Sequence, residues 1–349
     1  MKTSAAVLVE LDQPLVLAEL EIPPLQPGQV LVEVVFSGIC HTQLLEIRGY
    51  RGEDRYLPHC LGHEGSGIVR RTGPSVTKVK PDDRVILSWI KGSGADVLGT
   101  TYRWEDRTVN AGAITTFSRH SVISENRLTL LPDGIEMREA AALGCAVPTG
   151  LGAVFNTARP HPGQSIAIFG VGGIGLCAVA AAAISGCLPI IAVDIRPDKL
   201  ALARQLGATQ CINAETDNGD SVIDEIMRIC PGGVDHAIEA SGRPAVMVQA
   251  LESVCNQGGA AVVIGNARQG EYLQLDPKQL NLGKRLLGTW GGDNWPDRDY
   301  PRYCKLLSSG KLNLEPLLAK AYALKDVNDA IDDLEGGRVQ RPLLDLSID

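Results

Sequence analysis

Aromatic side chains are scarce in this sequence, at 4% of 349 residues, so aliphatic side chains must supply most of the hydrophobic core. Positive charge is also in short supply. The 33 lysines and arginines are outnumbered by 41 aspartates and glutamates, which gives a formal net charge of −8. Because an acidic surface repels phosphate backbones, we expect no nucleic-acid partner.

The nine cysteines lack the compact spacing of a disulfide framework, and no C-x-x-C pair occurs. A disulfide scaffold is therefore not expected, and a reducing cytoplasm is the simpler interpretation. The first residues form a strand-like pattern, and acidic Glu10 and Asp12 interrupt any signal-peptide core. We expect a cytoplasmic protein.

One long segment lacks charge altogether: Ser165 to Val193 contains no charged residue and is long enough to cross a bilayer. Four glycines fall between Gly170 and Gly175, however, and Gly186 and Pro189 interrupt the second half. These interruptions favour a strand, a glycine-rich turn, a helix and a second strand over one spanning helix. No membrane segment is expected.

The chain is too long for one ordinary core and suits two domains. Over residues 1–148, short apolar runs between Pro and Gly turns predict a small β-barrel domain. Over residues 149–287, strand-like runs alternate with helical stretches, which predicts an α/β domain with a doubly wound parallel sheet. Residues 288–349 are too few for a domain and are expected to return to the first one.

The segment Gly170–Gly175 matches the pattern G-x-G-x-x-G and lies between an apolar strand and an Ala-rich helix. With 38 glycines in the chain the pattern alone is weak, but this context is the one that dinucleotide binding requires. Gly170 permits a tight turn, Gly172 lets the backbone approach a pyrophosphate, and Gly175 lets helix and strand pack closely. Gly173 and Ile174 open the helix, whose N-terminus attracts phosphate.

Asp194 ends the next predicted strand, near the spacing that the dinucleotide fingerprint expects. A carboxylate there accepts hydrogen bonds from both ribose hydroxyls and repels a 2′-phosphate, so NAD is expected rather than NADP. Arg196, two residues on, points the other way, because an arginine can receive a 2′-phosphate. The alternative is an ordinary glycine-rich turn in another α/β fold.

Metal-ligand side chains occur at Cys40-His41, at His63-Glu64 and at Cys145, far apart along the chain. No two of them form a compact ligand pair. A lone cysteine is more often a small buried hydrophobe, so from the residues alone a metal site and ordinary packing both stay open.

Three segments precede the glycine motif in a recognisable order: Gly38-Ile39-Cys40-His41-Thr42, Gly62-His63-Glu64-Gly65-Ser66-Gly67 and Gly144-Cys145-Ala146-Val147-Pro148-Thr149-Gly150. With them the chain resembles the zinc-containing medium-chain alcohol dehydrogenases over essentially its whole length. The resemblance implies a GroES-like β-barrel catalytic domain followed by a Rossmann domain. It also implies that Cys40, His63 and Cys145 bind one catalytic zinc ion with an open fourth position, and that Glu64 lies behind the metal.

Two features distinguish this chain within the family it resembles. Relatives often carry four closely spaced cysteines after the strand Val85–Leu87, whereas residues 88–116 contain none here, so no structural zinc is expected. Relatives that oxidise polyols or threonine usually have glutamate and proline near the third ligand. Gly144-Cys145 occupies that place here, which favours the alcohol dehydrogenase branch.

The resemblance implies further roles. Thr42 would take the substrate proton, His41 would face the coenzyme pyrophosphate, and coenzyme contacts would come from Thr149, Lys199 and Arg341. The alternative for Lys199 and Arg341 is an exposed surface charge. Trp89 and Phe117 fall where the family lines an apolar substrate pocket, and the alternative is that both rings fill the barrel core.

Two departures concern the proton path and the metal. The family usually passes protons to a histidine three residues after Thr42, and Leu45 occupies that place, so we expect protons to leave through water or His41. Gln43 replaces the aspartate that usually orients the zinc-binding histidine. A neutral amide can orient His63 but adds less negative charge.

The expected function is reversible hydride transfer between NAD and a small-molecule alcohol, either aryl or medium-chain and primary, with zinc polarising the substrate oxygen. The alternatives on the same fold are a dehydrogenase of polyols or other secondary alcohols, and a metal-free quinone or enone reductase. A former enzyme retained as a binding protein is a more distant one. A homodimer or homotetramer is expected by analogy with the family.

Overall fold

The computed structural model describes residues 1–215, 221–318 and 320–348. The chain folds into two compact units. Unit 1 consists of Met1–Cys145 and Trp295–Asp349, and unit 2 consists of Ala146–Asn294. The sequence analysis predicted domain boundaries after residues 148 and 287. That these positions bound the functional domains stays a prediction.

Short strands dominate the first part of unit 1, as the apolar runs between turns predicted. Its strands are β1 (Lys2–Leu8), β2 (Val16–Glu21), β3 (Gln29–Gly38), β4 (His59–Cys60), β5 (Glu64–Thr72), β6 (Arg84–Ser88), β7 (Thr100–Trp104), β8 (Arg107–Ala111), β9 (His120–Ser124) and β10 (Leu128–Leu130). Its helices are α1 (His41–Ile47) and α2 (Met137–Ala142).

A closed barrel forms from strands in the order β1-β2-β7-β8-β4, and closure leaves no open sheet edge. A second sheet has the order β10-β6-β5-β3, and β9 also pairs with β3. The cysteine-free residues 88–116 contain the hairpin β7–β8, in which Trp104 pairs with Arg107. Aliphatic side chains such as Leu8, Val30 and Val85 fill the core, in keeping with the scarcity of aromatics.

Unit 2 alternates helices and strands. After α3 (Ala146–Gly152) and a π-helical turn (Ala153–Ala158) come β11 (Ile166–Phe169), α4 (Gly173–Ile184), β12 (Ile190–Asp194), α5 (Pro197–Gln205), β13 (Gln210–Asn213), α6 (Val222–Ile229), β14 (His236–Glu239), α7 (Pro244–Ser253), β15 (Ala260–Val263), α8 (Lys278–Asn281) and β16 (Arg285–Gly288). The strands form one parallel sheet in the order β13-β12-β11-β14-β15-β16. This order reverses direction at β11, as in a doubly wound fold.

The uncharged segment proves to be β11, the glycine turn, α4 and most of β12. Across residues 1–215, 221–318 and 320–348, none of the helices combines the length and the apolar character that crossing a bilayer requires.

The last part of unit 1 contains α9 (Pro296–Ser308), β17 (Ala321–Tyr322), α10 (Val327–Glu335) and β18 (Leu343–Asp345). Strand β18 pairs antiparallel with the end of β3, with Leu343 opposite Gly38. Arg48, just after α1, forms an ion pair with Glu335 at 2.6 Å. These contacts bring Arg341, two residues before β18, to the strand end that precedes Cys40.

Candidate active site

Cys40 is fixed by the start of a helix. It is the N-cap of α1, and its Sγ accepts the backbone N–H of Thr42 at 3.3 Å. Its own backbone N–H donates to Gln43 Oε1 at 2.9 Å. Because a helix N-terminus stabilises negative charge, this position favours a thiolate over a thiol.

His63 is positioned by the turn before β5. Gly62 has a φ of +91°, and a Cβ built there would lie 2.3 Å from the Thr116 hydroxyl oxygen, so only glycine fits. The side chain of His63 directs Nε2 toward the Cys40 sulfur at 3.4 Å.

Cys145 follows Gly144. Close packing around Gly144 leaves no room for a side chain at that position. A Cβ on Gly144 would lie 2.3 Å from the carbonyl oxygen of Leu87. The Ser88 hydroxyl donates to the Gly144 carbonyl at 2.7 Å, and the Tyr300 hydroxyl shares a 2.7 Å hydrogen bond with Ser88. Strand β6 therefore holds the backbone that carries Cys145, and a side chain has no room at 144.

The three side chains converge in unit 1. Nε2 of His63 lies 3.4 Å from the Cys40 sulfur and 3.2 Å from the Cys145 sulfur, and all three ligand atoms lie within 4.8 Å of one another. Tetrahedral zinc with ordinary Zn–S and Zn–N bonds places sulfur and nitrogen about 3.5 Å apart. The donor set and its spacing therefore fit one zinc ion.

The two thiols are electrostatically unequal. Their shared hydrogen bond holds the pKa of Cys40 well below its usual range and raises the pKa of Cys145 well above it. Cys40 therefore supplies the first negative charge. A divalent cation between the sulfurs favours deprotonation of the second thiol as well.

A buried ion pair lies behind the triad. The Glu64 side chain is 0% exposed and accepts a hydrogen bond from the guanidinium of Arg341, which is itself buried. Burial raises the pKa of Glu64, and the Arg341 charge opposes that shift. Within the described residues, Glu64 Oε2 has no hydrogen-bond partner, which leaves one carboxylate oxygen for a ligand. The surface-charge alternative for Arg341 is wrong.

The other residues assigned to catalysis or to the substrate pocket differ in how far they are buried in unit 1. Trp89 is half-buried and its ring meets the His63 ring edge-on, with centroids 6.4 Å apart. Phe117 is 1% exposed and belongs to the hydrophobic core, as the alternative interpretation held. Thr42 is half-buried, whereas His41 is exposed at the first position of α1.

The glycine motif of unit 2 has the geometry of a nucleotide loop. Gly170 has a φ of +81°, and a Cβ on Gly175 would lie 1.9 Å from the Gly170 carbonyl oxygen, so both must be glycine. A Cβ on Gly172 would meet nothing within 4 Å, which leaves open space at the N-cap of α4. Gly173 and Ile174 begin that helix, so its free N–H groups face this space.

Asp194, at the end of β12, accepts the backbone N–H of Val171 at 2.8 Å and that of Arg196 at 3.0 Å. The guanidinium of Arg196 is bound to Asp198 at 2.9 Å, so this cation already has a carboxylate partner. Lys199 is half-buried in α5 and Thr149 is buried in α3.

Known proteins identify this arrangement. A model of the alcohol dehydrogenase GroES-like domain matches residues 26–133, and a zinc-binding dehydrogenase model matches residues 173–309. An S-(hydroxymethyl)glutathione dehydrogenase of Synechocystis is 34% identical over 99% of this chain and 100% of its own. This chain belongs to the zinc-dependent alcohol dehydrogenase family.

Solved structures agree. An alcohol dehydrogenase zinc-binding domain protein from Burkholderia ambifaria is 32% identical with a TM-score of 0.90. A benzyl alcohol dehydrogenase from Acinetobacter calcoaceticus is 30% identical with a TM-score of 0.88, and each comparison covers 99% of both chains. The predicted fold and enzyme class are confirmed: a GroES-like barrel and a Rossmann sheet in a zinc- and NAD-dependent dehydrogenase of small-molecule alcohols.

Sequence reasoning missed part of this dehydrogenase's site. Unit 1 has a cavity of about 820 Å³, and Thr42, Gln43 and His63 lie on its wall. Polar residues that we had not singled out share this wall: Glu46, Arg51, Asp54 and His59. Nε2 of His59 pairs with Asp54 at 2.8 Å. The helical spacing of Thr42 and Glu46, four residues apart, was the signal that could have revealed the wall.

Gln43 holds two of the three ligands. Its Oε1 accepts from Cys40, and its amide nitrogen lies against Nδ1 of His63. A histidine that binds metal through Nε2 keeps its proton on Nδ1, which must donate to an acceptor. The Gln43 amide has one acceptor oxygen, whereas the Cys40 N–H and the His63 Nδ1–H are both donors. Whichever way the amide is turned, its NH2 group therefore faces one of these two donors.

A glutamate at this position would satisfy both contacts with the same side-chain length. We expect Gln43→Glu to slow zinc loss to a chelator by roughly 10-fold to 100-fold, because a carboxylate that accepts the Nδ1–H of a metal-binding histidine strengthens metal binding by that order. Zinc release can be followed with a chromogenic chelator. Gln205→Glu, on the exposed end of α5, adds the same charge elsewhere and serves as the control. Equal release rates in native and Gln43→Glu protein would contradict the argument.

Proposed function

We propose that this dehydrogenase oxidises aryl or medium-chain primary alcohols to aldehydes with NAD, and that Cys40, His63 and Cys145 bind its catalytic zinc. The observation that carries the proposal is the convergence of two sulfurs and one imidazole nitrogen within 4.8 Å. This is a soft, zinc-selective donor set with a fourth position left for substrate. When bound, zinc supplies a Lewis acid that lowers the pKa of an alcohol, and NAD supplies the hydride acceptor.

The chain's own residues prepare this chemistry. Gln43 and Ser88 fix the ligands by hydrogen bonds to the Cys40 backbone and to the carbonyl before Cys145. Glu64 places a buried carboxylate behind the triad, where its free oxygen can adjust the electrostatics of the metal. Thr42 would receive the substrate hydroxyl proton from the cavity wall. His41, at the start of α1, would serve as a further proton carrier.

Coenzyme binding is assigned to the glycine loop. The open space at Gly172 and the start of α4 would take the pyrophosphate, and Asp194 would bind the adenosine ribose. The partnered state of Arg196 supports NAD over NADP. Further contacts are proposed for the residues carried over from the family, which are His41, Thr149, Lys199 and Arg341.

The substrate class rests on the named relatives and on one aromatic contact. Relatives named for benzyl alcohol and for S-(hydroxymethyl)glutathione are both named for compounds that carry a CH2OH group. The edge-on ring of Trp89 places an apolar aromatic surface beside His63. Aryl groups pack well against such a surface. Phe117 is part of the core, so the proposal gives it no substrate contact.

A panel of alcohols assayed with NAD and with NADP tests the proposal. Zinc-loaded protein should oxidise benzyl alcohol and 1-hexanol with a kcat/KM at least about tenfold above those for 2-butanol and 2,3-butanediol. Activity with NAD should exceed that with NADP by a similar factor. A preference for secondary alcohols would favour the polyol branch, and reduction of quinones without zinc would favour the metal-free branch. Either result contradicts the proposal.

We further propose a cytoplasmic homodimer or homotetramer with one zinc ion per chain and no structural zinc. The absence of cysteine from residues 88–116 supports the zinc count, because no thiolate is available in that region. Metal analysis of the purified protein and light scattering would measure the two quantities.

A further inference from the structure

The wall of the cavity next to Thr42 carries a carboxylate at helical spacing. Thr42 and Glu46 are four residues apart on α1, which places them on the same helix face, about 5–6 Å apart at Cβ. Both line the cavity that also includes His63. Leu45, between them in sequence, carries no group that can accept a proton. The nearest titratable neighbour of Thr42 along this face is therefore Glu46.

Glu46 does not stand alone. Its carboxylate, the Asp54 carboxylate and a ring nitrogen of His59 all lie within 4.8 Å of one another. The His59 side chain is 9% exposed, with Nε2 at 2.8 Å from Asp54 and Nδ1 at 3.0 Å from the Cys60 carbonyl. Both ring nitrogens thus face acceptors. An imidazole can carry a proton at either ring nitrogen, so this ring is placed to pass a proton to the Asp54 carboxylate.

The charge environment of Glu46 suits proton exchange. Burial raises the pKa of Glu46, which brings the carboxylate closer to neutrality than an exposed glutamate. The charged groups facing it are His59, Arg51 and His63, which oppose this shift, and Asp54, which reinforces it. Arg51 is exposed and Asp54 is half-buried, so the far end of the cluster reaches toward solvent.

We propose that Glu46, His59 and Asp54 form the proton exit of this dehydrogenase. The proposal rests on the proposed function. Oxidation of an alcohol by NAD yields aldehyde, NADH and one proton: hydride carries two electrons to the coenzyme, and the hydroxyl proton must leave. That proton passes from the Thr42 hydroxyl through water to the Glu46 carboxylate, and the His59–Asp54 pair delivers it to solvent.

Glu46→Gln keeps the side-chain size and His59→Asn leaves a smaller polar group, and each removes one carrier. Glu53→Gln, on the exposed loop that also contains Asp54, is the matched control. NADH formation and proton release, reported by an indicator dye, are followed in a single turnover. We expect Glu46→Gln and His59→Asn to slow both by roughly 100-fold near neutral pH, a typical contribution of a positioned acid–base group. Added imidazole buffer should restore the rate of the variants in proportion to its concentration. Native protein and Glu53→Gln should not respond to buffer.

Zinc content, NADH affinity and the unfolding midpoint are measured on every variant, because a merely structural defect would change these and would not be rescued by buffer. If Glu46→Gln fails to fold, His59→Asn carries the test. Native rates and no response to buffer in both variants would overturn the route. A buffer-dependent rate found only in a His41→Gln variant would also overturn it. A second zinc ion per chain that disappears in His59→Asn would also overturn it in favour of a metal site. Native protein that oxidises no alcohol with NAD would instead contradict the proposed function itself.

Discussion

Cys145→Ser is expected to abolish stable zinc binding and to lower kcat/KM for alcohol oxidation by about 1,000-fold or more. A thiolate is a far better zinc ligand than a hydroxyl, and loss of one of three protein ligands leaves only Cys40 and His63. Lewis-acid activation lowers the activation barrier by several kcal/mol. Each 1.36 kcal/mol corresponds to a factor of about ten in rate. Zinc per chain and kcat/KM are measured on the same preparation.

The substitution is nearly isosteric, and the backbone of Cys145 is held independently by Ser88, so the fold of unit 1 should survive. Cys211→Ser, at a half-buried cysteine of unit 2, provides the control and should keep full zinc and activity. Native zinc content with near-native turnover in Cys145→Ser would refute the ligand assignment. Loss of zinc from Cys211→Ser as well would point to general instability instead.

The sequence was most informative where local pattern determines structure. The glycine motif, the apolar strands on either side of it and the acidic residue Asp194 could be assigned because turn, helix and strand preferences act within a few residues. The structure bears out the predicted order of elements, β11, α4 and β12, with Asp194 at the end of β12. The three converging side chains were accessible only through resemblance, since nothing local joins Cys40 to Cys145, 105 positions later.

Contacts between distant parts of the chain could not be predicted. Glu64 and Arg341 are 277 positions apart, and their pairing depends on β18 docking beside β3. Resemblance alone gave Arg341 a coenzyme phosphate as partner. The cavity wall was missed for a similar reason: Glu46 on α1 and His59 on β4 are 13 positions apart, and no local pattern joins them. Their interaction depends on how the loop containing Asp54 folds back over α1.

Arg341→Met should destabilise unit 1 by about 3–5 kcal/mol, because it leaves the buried carboxylate of Glu64 without its counterion. Methionine keeps most of the apolar volume of the arginine stem, so the expected loss is electrostatic. The free energy of unfolding is measured by denaturant titration of zinc-loaded protein with a probe in unit 1. Arg338→Met, which breaks an exposed pair with Asp333, is the control and should leave the free energy of unfolding close to the native value.

The double variant Glu64→Gln/Arg341→Met separates the two roles of Arg341. Because the glutamine is neutral, most of the lost stability should return, and the cycle of single and double variants then gives the coupling energy of the pair. NADH affinity shows whether Arg341 also binds the coenzyme.

If Arg341 also binds a coenzyme phosphate, the Kd for NADH should stay raised by about tenfold or more in the double variant, since removing Glu64 restores the fold but not the cation. A native Kd together with restored stability would assign Arg341 to the ion pair alone. An unchanged free energy of unfolding in Arg341→Met would show that Glu64 finds another partner, which the buried position of its carboxylate argues against.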